Sequence, residues 1–157
     1  MTAGSHVQIR KVEQDDLPRM YEIQLDPESN RMAVTNPRDR AAFDALWAEA
    51  LKDPNLEARA ILFDGEFAGY ISCFQVDGQD HVGYRVERAF WGQGIASRAL
   101  QLLLQEVTRR PLAAIVATSN AASLRVLQKC GFVVDQVRFS EESELYPACE
   151  EAVLVRR

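Results

Sequence analysis

From Val7 to Val12 the chain alternates apolar and polar side chains (VQIRKV), the period of a strand with one face on a core. The period then changes. In EQDDLPRMYEIQL, Asp15 or Asp16 caps a helix with Pro18 in its first turn, and DPESN closes it. Asn36-Pro37 opens a second helix through RDRAAFDALWAEAL, where Phe43, Leu46, Trp47, Ala50 and Leu51 fall on one helical face. EARAILF predicts a strand, Asp64-Gly65 a tight turn, and FAGYISCFQV its hairpin partner. A second turn, DGQD, leads into HVGYRV (His81–Val86), giving a three-stranded antiparallel meander.

The next periodic stretch is a helix to about Arg110, apolar at Ile95, Ala99, Leu100, Leu103, Leu104 and Val107. PLAAIVAT (Pro111–Thr118) is a near-continuous apolar run of strand length, as a buried strand requires. SNAASLRVLQKCGF is a short helix with Asn120 as N-cap and Gly131 just past its end. VVDQVRF and EAVLVRR supply two last strands. The order β-α-α-β-β-β-α-β-α-β-β, with no repeat or linker, predicts a single α+β domain over residues 7–157. Met1–His6 is set apart as a tail, its Gly-Ser-His having the look of a cloning scar.

Composition narrows the function classes. At 157 residues and 47% hydrophobic the chain is long enough for a sizeable core. It has no apolar run of about 20 residues, as a membrane span needs, and no secretory leader pattern. Three cysteines without CxxC spacing point to a reducing, cytoplasmic setting, and two scattered histidines predict no metal site. A net charge of −5 argues against a nucleic-acid partner. It does not argue against a small anion, which meets local charge only.

A small anion is what ERAFWGQGIASRALQLLLQEV, residues 87–107, suggests. Glycines in a first helical turn give up about 1 kcal/mol each relative to alanine. What they offer is bare backbone: Gln93, Gly94, Ile95, Ala96 and Ser97 present orphan N–H groups at the positive end of the helix dipole. Arg98 lies one turn on, and Arg125 and Lys129 lie four apart on the next helix, so phosphate could be neutralised locally.

Two motifs then carry a resemblance. WGQGIASRAL (Trp91–Leu100) resembles the acetyl-CoA pyrophosphate loop of the GNAT N-acetyltransferases, Gln/Arg-x-x-Gly-x-Gly/Ala, with Gly94 and Ala96 at the small positions and Trp91 in place of Gln or Arg. NAASLRVLQKCGF (Asn120–Phe132) is similar to the Asn-x-x-Ser-x-x-x-Leu-x-Lys-x-Gly-Phe of the RimJ/RimL-like branch. The resemblance spans Val7 to Val155. It implies a mixed, mostly antiparallel sheet of about seven strands flanked by about four helices, with a splayed cleft between the fourth and fifth strands. It further implies acetyl-CoA as acetyl donor, the Val86 backbone pairing with pantetheine amides, and Asn120 at the pantetheine end.

Acetyl transfer to an amine needs a neutral nucleophile, a polarised thioester and a protonated leaving thiolate. The tyrosine that many GNATs place near the second motif is replaced here by Leu127, and Ser123 matches the branch's serine as the candidate acid. For a base the sequence offers His81, since an imidazole titrates near neutrality, and Glu87, next to Val86. Cys73 and Cys130 read as small core residues, as do Tyr21 and Trp47. The acceptor face is expected from the first two helices, the irregular stretch Asp26–Pro37 and the last hairpin. Glu22, Asp26, Glu28, Glu141, Glu142 and Glu144 there suit a cationic amine. The expected function is N-acetylation of a primary amine, a protein N-terminus or a small cationic amine, by a monomer or homodimer. The competing reading is a non-catalytic acyl-CoA-binding module.

Overall fold

The computed structural model describes residues 6–157, so the tail assigned to Met1–His6 falls outside it except for His6. Seven strands form one sheet: β1 (Val7–Lys11), β2 (Glu57–Phe63), β3 (Glu66–Val76), β4 (Gln79–Val86), β5 (Leu112–Ala117), β6 (Val133–Ser140) and β7 (Cys149–Arg156). Their order is β1-β2-β3-β4-β5-β7-β6. Every neighbouring pair is antiparallel except β4 and β5, which are parallel and in register at a single pair, His81 with Ala113. Past that point the two strands diverge. This is the splayed cleft between the fourth and fifth strands.

Strand alternation sends residues to two faces, and each face carries its own core. On one, Ile61, Ile71, Cys73, Val82 and Val86 pack against α4 (Ile95–Glu106) and α5 (Ala121–Lys129). On the other, Ala58 and Tyr70 meet Leu17 and Met20 of α1 (Leu17–Gln24) and Phe43 and Trp47 of α3 (Arg40–Ala50). Tyr21 and Phe43 meet edge-on at 5.4 Å, so Tyr21 and Trp47 are packing residues as the sequence suggested.

Between α1 and α3 lies a helix absent from the pattern reading, α2 (Pro27–Ala33), which makes five helices where about four were expected. Asp26 and Pro27 start this helix rather than closing the one before it. The Asp26 carboxylate accepts from the Ser29 N–H at 3.2 Å, and Pro27 occupies the first turn, where its missing N–H costs nothing. The stretch Asp26–Pro37 is therefore helical in its first half. Likewise α3 begins at Asp39, whose side chain accepts from the Ala42 N–H at 2.8 Å, rather than at Asn36-Pro37. Of its expected apolar face only Phe43 and Trp47 are buried, with Leu46 and Leu51 42% and 38% exposed. This 11-residue helix buries one narrow stripe, which packs on α1 and on Ala58 and Tyr70 of the sheet.

Candidate active site

The divergence of β4 from β5 opens a cavity of about 530 Å³. Tyr84, Arg85 and Val86 form its β4 wall. Gly92, Gly94, Ile95, Ala96 and Ser97 enter from the loop and first turn of α4, and Asn120, Ser123, Arg125 and Lys129 from α5. Its charged walls are Arg85, Arg125 and Lys129, and no carboxylate or imidazole lines it among the described residues. An acidic protein thus keeps a basic cleft.

The loop explains its glycines. Gly94 is the N-cap of α4 at φ 74°, a left-handed conformation that side chains other than glycine adopt only under strain. Its carbonyl accepts the first helical bond, from the Arg98 N–H at 3.1 Å, leaving the N–H groups of Ile95, Ala96 and Ser97 without intrahelical partners. A Cβ on Gly94 would meet nothing within 4 Å, so the space before these donors is open. Ile95 and Ser97 are buried and anchor the turn. Two residues named from sequence stay outside these walls. Gln93 is exposed, and exposed Arg98 reaches forward to Gln101 along its own helix.

Val86 is placed as a main-chain donor. The Glu87 N–H donates to the Ala68 carbonyl at 2.8 Å, so by antiparallel alternation Val86 turns both its polar groups away from β3, toward the gap. The Val86 carbonyl is then taken by the indole N–H of Trp91 at 2.8 Å, leaving its N–H for the cleft. Trp91, which departs from the Gln/Arg of the family loop, thus ties the loop to the strand. Opposite Val86 stands Gly69, where a Cβ would fall 2.2 Å from the Arg85 carbonyl oxygen. Gly69→Ala must displace the Arg85–Val86 backbone. We expect it to cost roughly 1–3 kcal/mol in equilibrium unfolding, with a loss of acetyl-CoA affinity measurable by calorimetry.

At the cleft wall the Tyr84 hydroxyl and Ser123 Oγ are 2.7 Å apart. Burial pushes the Tyr84 phenol up to about 12, partly offset by the Ser123 hydrogen bond and reinforced by nearby Cys130. The Ser123 N–H in turn donates to Asn120 Oδ1 at 3.2 Å, so Asn120 is both the N-cap of α5 and a cleft residue. In sequence Tyr84 reads as a residue of the HVGYRV strand just upstream of Val86; its pairing with Ser123 depends on a contact 39 residues apart along the chain.

The two bases named from sequence are not brought into the cleft. His81 is buried at the closed end, stacked on Phe74, with Nδ1 3.0 Å from the Gln79 carbonyl. As the one β4 residue in register with β5, opposite Ala113, it stands at the closed end of the strand pair and away from the opening. Glu87 lies outside the walls and pairs with Arg19 at 2.8 Å. Cys130 and Cys73 are buried, and burial pushes both thiols up, against the pull of Lys129 and Arg109 respectively. Neither is poised as a thiolate. The acidic acceptor face is also differently arranged. Asp26 pairs with Arg88 at 3.1 Å, Glu28 with Arg31, and Glu22 and the glutamates at 141, 142 and 144 are exposed.

The cleft geometry and sheet order are those of one family. The Acetyltransferase (GNAT) domain matches residues 6–133, and the chain belongs to the GNAT acetyltransferase family. It catalyses acetyl transfer from acetyl-CoA to an amine. Among curated proteins, YdaF of Bacillus subtilis (strain 168), provisionally named a ribosomal N-acetyltransferase, is 25% identical over 83% of this chain and 79% of its own. The RimL ribosomal L7/L12 α-N-protein acetyltransferase, solved with coenzyme A, superposes with a TM-score of 0.79 at 18% identity, covering 96% of this chain and 93% of that one. Spermidine N-acetyltransferase from Vibrio cholerae, with CoA and spermine, gives a TM-score of 0.80 at 13% identity over 96% and 95%. RimJ of Mycobacterium smegmatis gives 0.75 at 22% over 97% and 82%. These structures share the fold.

Proposed function

We propose that the acceptor is the α-amine at the N-terminus of a polypeptide. The observation that carries this is the absence of any carboxylate or imidazole from the cleft walls among the described residues. Without a base, the amine must arrive neutral. An α-amine, with a pKa near 8, is about a quarter neutral at pH 7.5, whereas an alkyl amine near 10.4 is neutral to only about one part in a thousand. The provisional name of YdaF, a ribosomal N-acetyltransferase, and that of RimL, a ribosomal L7/L12 α-N-protein acetyltransferase, point the same way. Three free cysteines fit a reducing cytoplasm.

The residues present suit acetyl-CoA. The orphan N–H groups of Ile95, Ala96 and Ser97, the open space before Gly94, and Arg125 and Lys129 would hold its pyrophosphate. The Val86 N–H and the Asn120 side chain would meet the pantetheine arm. Bound acetyl-CoA supplies an activated acetyl group and a thiolate leaving group. The cleft holds the amine against the carbonyl, a positioning effect that lowers the barrier without a charged catalyst. As the C–N bond forms and the C–S bond breaks, Ser123 Oγ–H would donate its proton to the departing sulfur, Tyr84 would replace it, and water would reprotonate Tyr84. The amine's surplus proton passes to water. Because Tyr84 stays protonated at working pH, it keeps a proton to give.

The test is CoA release with three acceptors: a short peptide with a free N-terminus, the same peptide N-blocked but carrying lysine, and spermidine. At pH 7.5 the free N-terminus should give kcat/KM at least tenfold above the others, rising with pH through about 8 and levelling above it. Preference for spermidine at that pH would contradict the assignment.

A further inference from the structure

The geometry points to a second recognition site: a carboxylate carried by the acceptor, seated between Arg38 and Arg85 in a smaller cavity behind the cleft. This rests on the amine-acetylation reading above and deepens it. The cavity, of about 160 Å³, lies between α1, α3, β3 and the loop before β7. Gln24, Arg38, Tyr70 and Tyr146 line it, with Trp47 as apolar floor. Arg85 lines both this cavity and the acetyl cleft, so the two share a wall. An acceptor reaching the cleft with its amine can place a neighbouring group here.

The charge of the cavity is the reverse of the acidic face the sequence suggested. No aspartate or glutamate lines it among the described residues. Several arginines elsewhere in this acidic chain meet carboxylates, as Arg10 meets Asp16, Arg59 meets Glu106 and Arg109 meets Asp80. Arg38 and Arg85 meet none among the described residues. Arg85 is aimed by two neutral oxygens, its Nη1 donating to Asn30 Oδ1 at 2.9 Å and its Nη2 to Thr35 Oγ1 at 3.1 Å. Asn30 is itself buried and donates to the Gln24 carbonyl at 2.9 Å, so the aim is firm.

Arg38 is held by its main chain alone. Its N–H donates to Gln24 Oε1 at 2.8 Å and its carbonyl accepts from Gln24 Nε2 at 2.9 Å, and its guanidinium has no partner among the described residues. The charges of both arginines reach the Tyr70 phenol, whose pKa burial raises and the two cations pull down. The Tyr70 hydroxyl makes no hydrogen bond to another described residue and stands as a further donor. Asn36 fastens the loop that closes the cavity, donating from its N–H to the Leu145 carbonyl at 2.8 Å. Two guanidiniums and a phenol around a small, partly apolar hollow are the donor set for a short-stemmed carboxylate. Both an acidic side chain near a peptide N-terminus and a free amino acid's own carboxylate have that chemistry.

Calorimetry on the CoA-saturated protein distinguishes the sources and tests the site without requiring turnover. The probes are Ser-Glu-Ala-amide, Ser-Gln-Ala-amide, Ser-Lys-Ala-amide, free serine and serinamide. The glutamyl peptide should bind roughly 10- to 100-fold tighter than the glutaminyl one, the range of a charge-assisted pair. Arg38→Gln should abolish the difference, and Arg38→Glu should invert it toward the lysyl peptide. The acetyl-CoA melting shift of each variant reports folding. A preference for serine over serinamide instead would assign the site to the α-carboxylate. Equal binding within both pairs, or a preference untouched by either Arg38 variant, would overturn the site. Peptides that bind with the expected preference but release no CoA would instead overturn the N-acetylation reading and leave the site standing.

Discussion

Gly94→Glu should abolish acetyl-CoA binding, lowering affinity by more than a hundredfold in calorimetry. Two effects combine. At φ 74° any side chain strains the N-cap, a cost on the order of 1–2 kcal/mol. The new carboxylate would also stand in the open space before the Ile95, Ala96 and Ser97 N–H groups and compete for the site that a phosphate needs. Gly94→Ala separates them: it carries the strain without the charge and should lose only about tenfold. Equal effects from the two would mean that backbone strain, not anion competition, governs the loop. Unchanged binding by both would remove the loop from the cofactor site.

The second large effect is expected at the hydroxyl pair. Ser123→Ala and Tyr84→Phe should each lower kcat by about 10²-fold, typical of a lost proton donor, with little change in KM for acetyl-CoA. If the two act as one relay, the double variant should be scarcely worse than either single one. The pH profile carries a separate check. Tyr84 titrates at about 12, so rate should not fall on its account as pH rises from 7 to 10. An alkaline loss near pH 9 that vanished in Tyr84→Phe would contradict a neutral phenol. Multiplicative single effects would show two independent roles.

Much of this was readable in the chain because it rests on short-range chemistry. Asp64-Gly65 and Asp77-Gly78 take the positive φ values that hairpin turns ask for. Asn120 caps α5, and Gly131, at φ 92°, ends it, each within three residues of the group it serves. The loop glycines were legible because a left-handed N-cap such as Gly94 calls for glycine. What stayed hidden depends on distance. Asp26-Pro27 is the same dipeptide whether it closes a helix or opens one, and only tertiary packing decided for α2. Trp91 reads as a departure from the loop pattern until its indole is seen to hold the Val86 carbonyl. His81 and Glu87 have suitable chemistry, yet strand position buries one and Arg19 engages the other. Tyr84 was hidden for the converse reason: its hydroxyl pairing exists only because α5 brings Ser123 against the strand.

The most direct test of the account is the melting temperature of the protein with acetyl-CoA, CoA and 3′,5′-ADP in parallel. At about a hundredfold excess over the dissociation constant, ligand linkage adds roughly 2.7 kcal/mol and should raise the transition by several degrees. Acetyl-CoA and CoA should both do so, and 3′,5′-ADP should do less, because it lacks the pantetheine arm that the Val86 edge would receive. No shift from a folded protein, or a shift from 3′,5′-ADP equal to that from acetyl-CoA, would contradict the placement of the cofactor in the gap between β4 and β5.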